Sequence, residues 1–242
     1  MAQERRYIFH IKRFLPEISS EPFWQTYELT LSSWERVLDG LIKIQDYLDS
    51  SLGFRKSCAH GICGSCAMKI NDINRLACQT LVKDLPEIIK IEPLPKLPVI
   101  KDLVVDMTPF FEKHEKILPY LINTENLPER ERLQKPEDQE RILEAITCIL
   151  CGCCTTACPT FWINENFLGP SALLKAYRFI FDTRDTAQAD RLISVVEQMG
   201  IFHCHSALNC LKACPKEINI PQHIIKLKKL AVKKALRRSL KI

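Results

Sequence analysis

Apolar and polar positions alternate at the start of this chain and change to helical spacing further on. Residues 7–14 and 24–31 read as two paired strands. In the second, Tyr27, Leu29 and Leu31 alternate with Thr26, Glu28 and Thr30, the period of a half-buried strand. Pro16, Ser19, Ser20 and Pro22 supply turn chemistry between them. Ser32 with Glu35 has the form of a capping box. Val37, Leu41, Ile44 and Leu48 then recur at helical spacing, with Leu38 and Ile42 alongside, which makes a core stripe. Residues 67–70 and 75–78 flank an Asn71-Asp72 turn as a short hairpin, and 88–92 read as a last strand.

Pro93, Pro95 and Pro98 make a stiff connector, since proline fixes φ and removes donors. Residues 102–122 read as a helix interrupted or restarted near Pro109, and the polar stretch 123–138 as a surface excursion. From Gln139 onward the spacing is helical. It includes 171–181 behind the Gly169-Pro170 break and 186–199 before Gly200. The expected architecture is α+β. A strand-rich domain over 1–106 has the element order of a β-grasp ferredoxin, and an all-α domain follows over 107–242.

Composition changes this picture through one residue type. Hydrophobic content of 46% and charged content of 26% are ordinary for 242 residues, but twelve cysteines are not. The beginning, MAQERRYIFHIKRF, has no apolar signal region, so a reducing compartment is expected, where clustered cysteines favour metal over disulfides. No apolar stretch approaches the roughly 20 residues that span a bilayer. The formal net charge of +5 comes largely from the end of the chain. There Lys226, Lys228, Lys229, Lys233, Lys234, Arg237, Arg238 and Lys241 interleave with Ile224, Ile225, Leu227, Leu230, Val232, Leu236 and Leu240. This is either a solvated helix with one packed face or a basic surface for anionic headgroups, each charge contributing about 1 kcal/mol. No nucleic-acid motif accompanies the charge.

The cysteines fall into three runs. Cys58-x4-Cys63-x2-Cys66, with Cys78 after eleven more residues, has the plant-type spacing for a [2Fe–2S] cluster. Gly61 and Gly64 lie inside this loop, where bare backbone lets amides approach sulfur and tune the potential. His60 reads as an exposed loop residue, since four cysteines complete the set. Cys148-x2-Cys151-x2-Cys154-x3-Cys158-Pro159 is the bacterial ferredoxin run, in which the fourth thiolate serves a second cluster. Its partner is Cys204-x5-Cys210-x3-Cys214-Pro215. Exchange of the last cysteines gives a [4Fe–4S] cluster on Cys148, Cys151, Cys154 and Cys214. The other cluster takes Cys158, Cys204 and Cys210, with Ala207 where a fourth ligand would stand. A [3Fe–4S] cluster is the economical reading; a [4Fe–4S] cluster with water, His205 or Asn209 on its last iron is the alternative. Zinc sites more often use two Cys-x2-Cys pairs or Cys with His, which fits these runs poorly. Cys153 is expected to be a buried free thiol. There is no dinucleotide fingerprint and no acid–base pair built for turnover, so three clusters suggest an electron wire.

The series CAHGICGSCAM, LACQT, CILCGCCTTACPTFW and CHSALNCLKACPK resembles the iron–sulfur subunit of succinate dehydrogenase and fumarate reductase, respiratory complex II. The resemblance extends over essentially the whole chain. It implies an FAD-containing flavoprotein partner and a membrane-anchor partner, with or without haem. It also implies a quinone acceptor and a peripheral position on the cytoplasmic face of the inner membrane. It places the quinone near Pro159, Trp162, Ile163, His205 and Lys228, with the choice between Trp162 and Ile163 open. Packing roles for Trp162 and His205 are the plainer readings. The CPTFW and CHS segments lean toward succinate oxidation, with quinol-linked fumarate reduction as the reverse. A soluble multi-cluster ferredoxin is the rival from another class. Subunits of heterodisulfide-reductase-like or glycolate-oxidase-like assemblies are disfavoured by Ala207.

Overall fold

The computed structural model describes residues 4–126, 128–197 and 200–239. They form two compact units, residues 1–107 with 149–157, and residues 108–148 with 158–242. Residues 149–157, expected with the helical part, pack in the first unit.

In the first unit β1 (Glu4–Arg13) and β2 (Phe23–Ser32) pair antiparallel, with Phe9 opposite Tyr27. β1 also runs parallel to β5 (Ile88–Glu92). The hairpin of β3 (Ala67–Ile70) and β4 (Ile73–Leu76) completes a mixed sheet in the order β2-β1-β5-β3-β4. Alternation buries Tyr7, Phe9 and Ile11 on one face. Against it lies α1 (Val37–Lys43), and a Cβ on Gly40 would overlap the Phe9 ring, so helix and sheet meet closely there.

Two expectations in this region need correction. The helix start is closed by Asp39, whose carboxylate accepts the Arg36 N–H at 2.8 Å. Glu35 instead accepts the Ser32 N–H and pairs with Lys43, closing the turn before the helix. Leu48, expected in the core stripe, is exposed. The helix widens into a π-turn over Ile44–Leu48, which rotates Leu48 outward and delivers Asp49 inward.

Asp49 meets the fully buried Arg13. The Arg13 guanidinium donates to Asp102 at 2.8 Å, Asp49 at 2.6 Å, the Tyr27 hydroxyl at 2.6 Å and Ser51 at 2.9 Å. Asp102 also accepts the N–H groups of Phe14 and Gly53. Its position ends the expected helix over 102–122 before it begins. Asp102 takes φ 47° in the turn between β6 (Val99–Lys101) and β7 (Val104–Val105), where β-branched residues favour extended chain. The helix starts at α2 (Thr108–Glu115), with Pro109 in its first turn.

In the second unit α3 (Pro136–Ile146) begins at a proline three residues earlier than the spacing indicated. The short α4 (Cys153–Thr156) belongs to the first unit, and α5 (Pro159–Ile163) to the second. The core of the second unit is α6 (Gly169–Ile180), whose Leu173, Leu174, Ala176 and Tyr177 are fully buried. α7 (Gln188–Glu197), α8 (Asn209–Lys212) and α9 (Ile220–Ser239) complete it. Gln198 and Met199, at the end of the expected 186–199 helix, lie outside the described residues, as do Leu240 and Lys241. Arg191 is fully buried and donates to the carbonyls of Ile117, Leu118 and Tyr120 and to Asp185, which holds the coil after α2. On α9, Ile220, Ile224, Leu227 and Ala231 are buried while Ile225, Val232 and Leu236 are exposed.

Burial alone would raise the Asp49 carboxyl, but hydrogen bonds from Ser51, Tyr27 and Arg13 hold it well below the usual carboxylate range. A depressed pKa stabilises the fold above the unfolded value of about 4 and is lost as pH falls. Asp49→Asn should therefore flatten the loss of stability in acid, read from denaturant midpoints across pH. Arg13→Met leaves two carboxylates without their cation and should cost about 3–5 kcal/mol in the same measurement.

Candidate metal centres

The loop of the first cysteine run curls through three left-handed residues, Ala59 (φ 57°), Gly61 (φ 77°) and Gly64 (φ 73°). This turns the N–H groups of His60, Ile62 and Cys63 toward the Cys58 sulfur, at 3.5, 3.3 and 3.3 Å. These amides hold the Cys58 thiol down at about 6. The Cys63 sulfur stands 3.1 Å from the Ser65 hydroxyl and hydrogen-bonds with Cys58. The strand pair and a 3-10 turn over Ala77–Gln79 return Cys78 to Cys66, where Ala77 N–H meets the Cys66 carbonyl. Burial, then the neighbouring Cys78 and Cys63, push the Cys66 thiol up to about 12. Cys58, Cys63, Cys66 and Cys78 are thus brought together, and His60 is exposed. Amides converging on a thiolate and a loop of bare glycines suit a negatively charged cluster.

The other two runs share one backbone form. Leu150 (φ 54°) and Gly152 (φ 82°) precede α4, while Ser206 (φ 57°) and Leu208 (φ 63°) precede α8. Both short helices end on alanine at nearly the same angles, Ala157 at φ −89°, ψ −8° and Ala213 at φ −88°, ψ −6°. In this match Cys148 corresponds to Cys204, Cys154 to Cys210 and Cys158 to Cys214, while Cys151 corresponds to Ala207. Leu208 accepts a left-handed conformation that costs a non-glycine residue about 1–2 kcal/mol. The turn is therefore kept although the side chain opposes it.

Within the second unit Cys158, Cys204 and Cys210 face one another. Burial, then the charges of Cys204 and Cys158, push the Cys210 thiol up to about 12. Cys151 and Cys154 belong to the first unit, Cys148 and Cys214 to the second. Cys153 is fully buried and hydrogen-bonds to Cys151, holding that thiol below its ordinary value. Among the described residues no three His, Cys, Asp or Glu side chains converge on a single ion. Cluster ligands bind separate irons and stand further apart than ligands of one ion.

Trp162 and Ile163 are 44% and 84% exposed on α5, so a core role for Trp162 does not hold. Pro159, at the start of α5, and His205 are also exposed. Lys228, half-buried on α9, donates to the Cys204 carbonyl at 2.7 Å. No spacing pattern marked that contact, nor Asn74, whose buried amide donates to the Cys153 carbonyl and the Thr156 hydroxyl.

Residues 8–112 match the model of the 2Fe-2S iron-sulfur cluster binding domain, and 144–218 that of the 4Fe-4S dicluster domain. The chain is 40% identical to the succinate dehydrogenase iron-sulfur subunit of Coxiella burnetii, over 91% of this chain and 94% of that one. The chain belongs to the family of succinate dehydrogenase iron–sulfur subunits. It is 41% identical to the subunit of Paracoccus denitrificans, over 93% of this chain and 87% of the other. A chain of the Mycobacterium smegmatis Sdh1 complex in the apo form superposes with a TM-score of 0.88 at 26% identity, over 96% and 98% of the two chains. As a member of this family the chain is an electron-transfer component of an oxidoreductase, with a sheet-rich 2Fe–2S domain followed by a helical 4Fe–4S domain. Among the described residues no helix is long and apolar enough to cross a membrane.

Lys228→Met removes a charged donor from the Cys204 carbonyl, a bond of a class that contributes about 1.5–3 kcal/mol. The variant should melt earlier and be cleaved faster by protease within 204–208, both read on the purified protein.

Proposed function

We propose that this chain relays electrons from an FAD-bearing flavoprotein subunit that oxidises succinate to a quinone at a membrane-anchor subunit. The relatives named succinate dehydrogenase support that direction. In this reading Cys58, Cys63, Cys66 and Cys78 hold [2Fe–2S]. Cys148, Cys151, Cys154 and Cys214 hold [4Fe–4S], and Cys158, Cys204 and Cys210 hold [3Fe–4S]. Bound clusters supply one-electron carriers whose potentials follow type, hydrogen bonding and burial.

The observation that carries the reading is Ala207. It occupies the place in the left-handed turn that Cys151 occupies in the matching run, with the same backbone and no sulfur. The residues of the chain have separable tasks. The amides of His60, Ile62 and Cys63 stabilise negative charge at Cys58. Lys228 keeps an ammonium against the Cys204 carbonyl. His205, exposed beside Cys204, offers an imidazole that can hand a proton to a quinone oxygen, with Pro159, Trp162 and Ile163 as the apolar contacts. In this reading the chain is peripheral on the cytoplasmic face of the membrane, held there by the anchor, and the basic residues of α9 suit anionic headgroups.

Ala207→Cys should convert the three-iron centre to a four-iron one, seen as loss of its oxidised-state paramagnetic signal in a redox titration of the complex; an unchanged spectrum overturns the ligand set. His205→Ala should slow quinone reduction while flavin-to-dye transfer persists, and an equal fall in both rates would assign His205 a structural role. Cys153→Ala should keep the iron and sulfide content that Cys154→Ala loses, since the Cys153 thiol packs and hydrogen-bonds to Cys151.

A further inference from the structure

The segment that carries Cys151 and Cys154 is held in the first unit from both sides. Asn74, buried on β4, donates through Nδ2 to the Cys153 carbonyl at 3.2 Å and to the Thr156 hydroxyl at 2.9 Å, the two ends of α4. Thr156 in turn donates to the Gly152 carbonyl at 3.0 Å, so the left-handed turn before the helix belongs to the same network. Gly64 approaches from the loop between Cys63 and Cys66. A Cβ there would lie 2.9 Å from the Cys151 Cβ, 3.0 Å from its Cα and 3.2 Å from the Ile149 carbonyl oxygen. These are backbone and near-backbone atoms that cannot swing aside.

We infer that Asn74 and Gly64 are positioning residues for electron relay: together they fix the spacing between the Cys63–Cys66 loop and the Cys151–Cys154 segment. This rests on the proposed assignment of those cysteines to [2Fe–2S] and [4Fe–4S]. Asn74 anchors α4 by two donated bonds, and its donors are the feature that matters, because both acceptors are fixed by the helix. Gly64 contributes by lacking a side chain, which lets the Cys151 backbone come into contact with the first loop. Electronic coupling between redox centres falls steeply with the gap between them, so a shift the size of a methyl group is felt in the relay.

The glycines of the first loop supply a built-in comparison. Gly61 (φ 77°) and Gly64 (φ 73°) share a backbone conformation that alanine resists equally. A Cβ on Gly61 meets the side chain of Gln79, which can move; one on Gly64 meets Cys151. Gly61→Ala and Gly64→Ala thus differ in the neighbour displaced and not in backbone strain. Asn74→Asp keeps the shape and loses the donors, and Thr156→Val removes one of the two bonds from the other side.

The test is paramagnetic resonance of the fully reduced, assembled complex with its iron content measured. The reading is the faster spin relaxation that a second reduced centre imposes on [2Fe–2S]. Gly64→Ala and Asn74→Asp should weaken this enhancement, and Gly64→Ala should weaken it more than Gly61→Ala, which carries the same backbone strain. An unchanged enhancement in Gly64→Ala and Asn74→Asp at full iron content overturns the inference and leaves the cluster assignment standing. Absence of any enhancement in the native complex, with [2Fe–2S] present alone, overturns the assignment itself. Should Gly64→Ala or Asn74→Asp fail to retain iron, Thr156→Val decides: partial loss supports the inference, and native enhancement overturns it.

Discussion

Thiols that are buried, and then gathered beside one another, resist ionisation, and the chain is built around its cysteines under that constraint. Burial and neighbouring sulfur push Cys66 and Cys210 up to about 12, while three amides pull Cys58 down to about 6. Metal binding needs all of them deprotonated, so occupancy and folding are coupled. The left-handed residues at 59, 61 and 64, at 150 and 152, and at 206 and 208 turn the backbone that carries these sulfurs. Local strain at these positions is small for glycine and real for leucine. It persists because the surrounding structure leaves the chain no alternative.

That surrounding structure relies on buried charge. Arg13 joins the end of β1 to Asp49, Tyr27 and Asp102, and Asp102 then holds the Gly53 amide ahead of the first cysteine loop. Arg55 adds a bond to the Val105 carbonyl. In the second unit Arg191 collects three carbonyls of a coil that has no helix to satisfy them. His223 and Glu144, 2.8 Å apart, tie α9 to α3. Breaking the Arg13 or Arg191 site strands a charge away from water, which is why each holds its loops firmly.

Membership of the succinate dehydrogenase iron–sulfur family and this construction point the same way. As a member of that family the chain carries electrons within an oxidoreductase. Its own contribution is spacing: a bare glycine against Cys151, an asparagine under α4, and an ammonium on the Cys204 carbonyl. The exposed His205 adjoins Cys204, and the exposed Trp162 and Ile163 follow Cys158 by four and five residues, around the centre proposed to lack one thiol.

Much of this chemistry was legible in the order of residues alone. Ligand spacing is a local property, so the cysteine runs, the missing thiol at Ala207 and the glycines inside the first loop could be read without coordinates. Period-two and helical spacing likewise marked the paired strands, the hairpin and the helices from α6 onward, because burial of one face imposes that period. What depended on partners distant in sequence could not be read. The carboxylate that closes the helix start is that of Asp39, and Leu48 turned outward. Residues 102–105 became a hairpin because Asp102 is needed by Arg13, eighty-nine positions earlier. Asn74 looked like any polar residue of a turn until the fold placed α4 against its strand. Sequence determined which sulfur atoms the chain offers and at what spacing; only tertiary structure decided how close the segments that carry them approach, since distance is set by contacts no periodicity records.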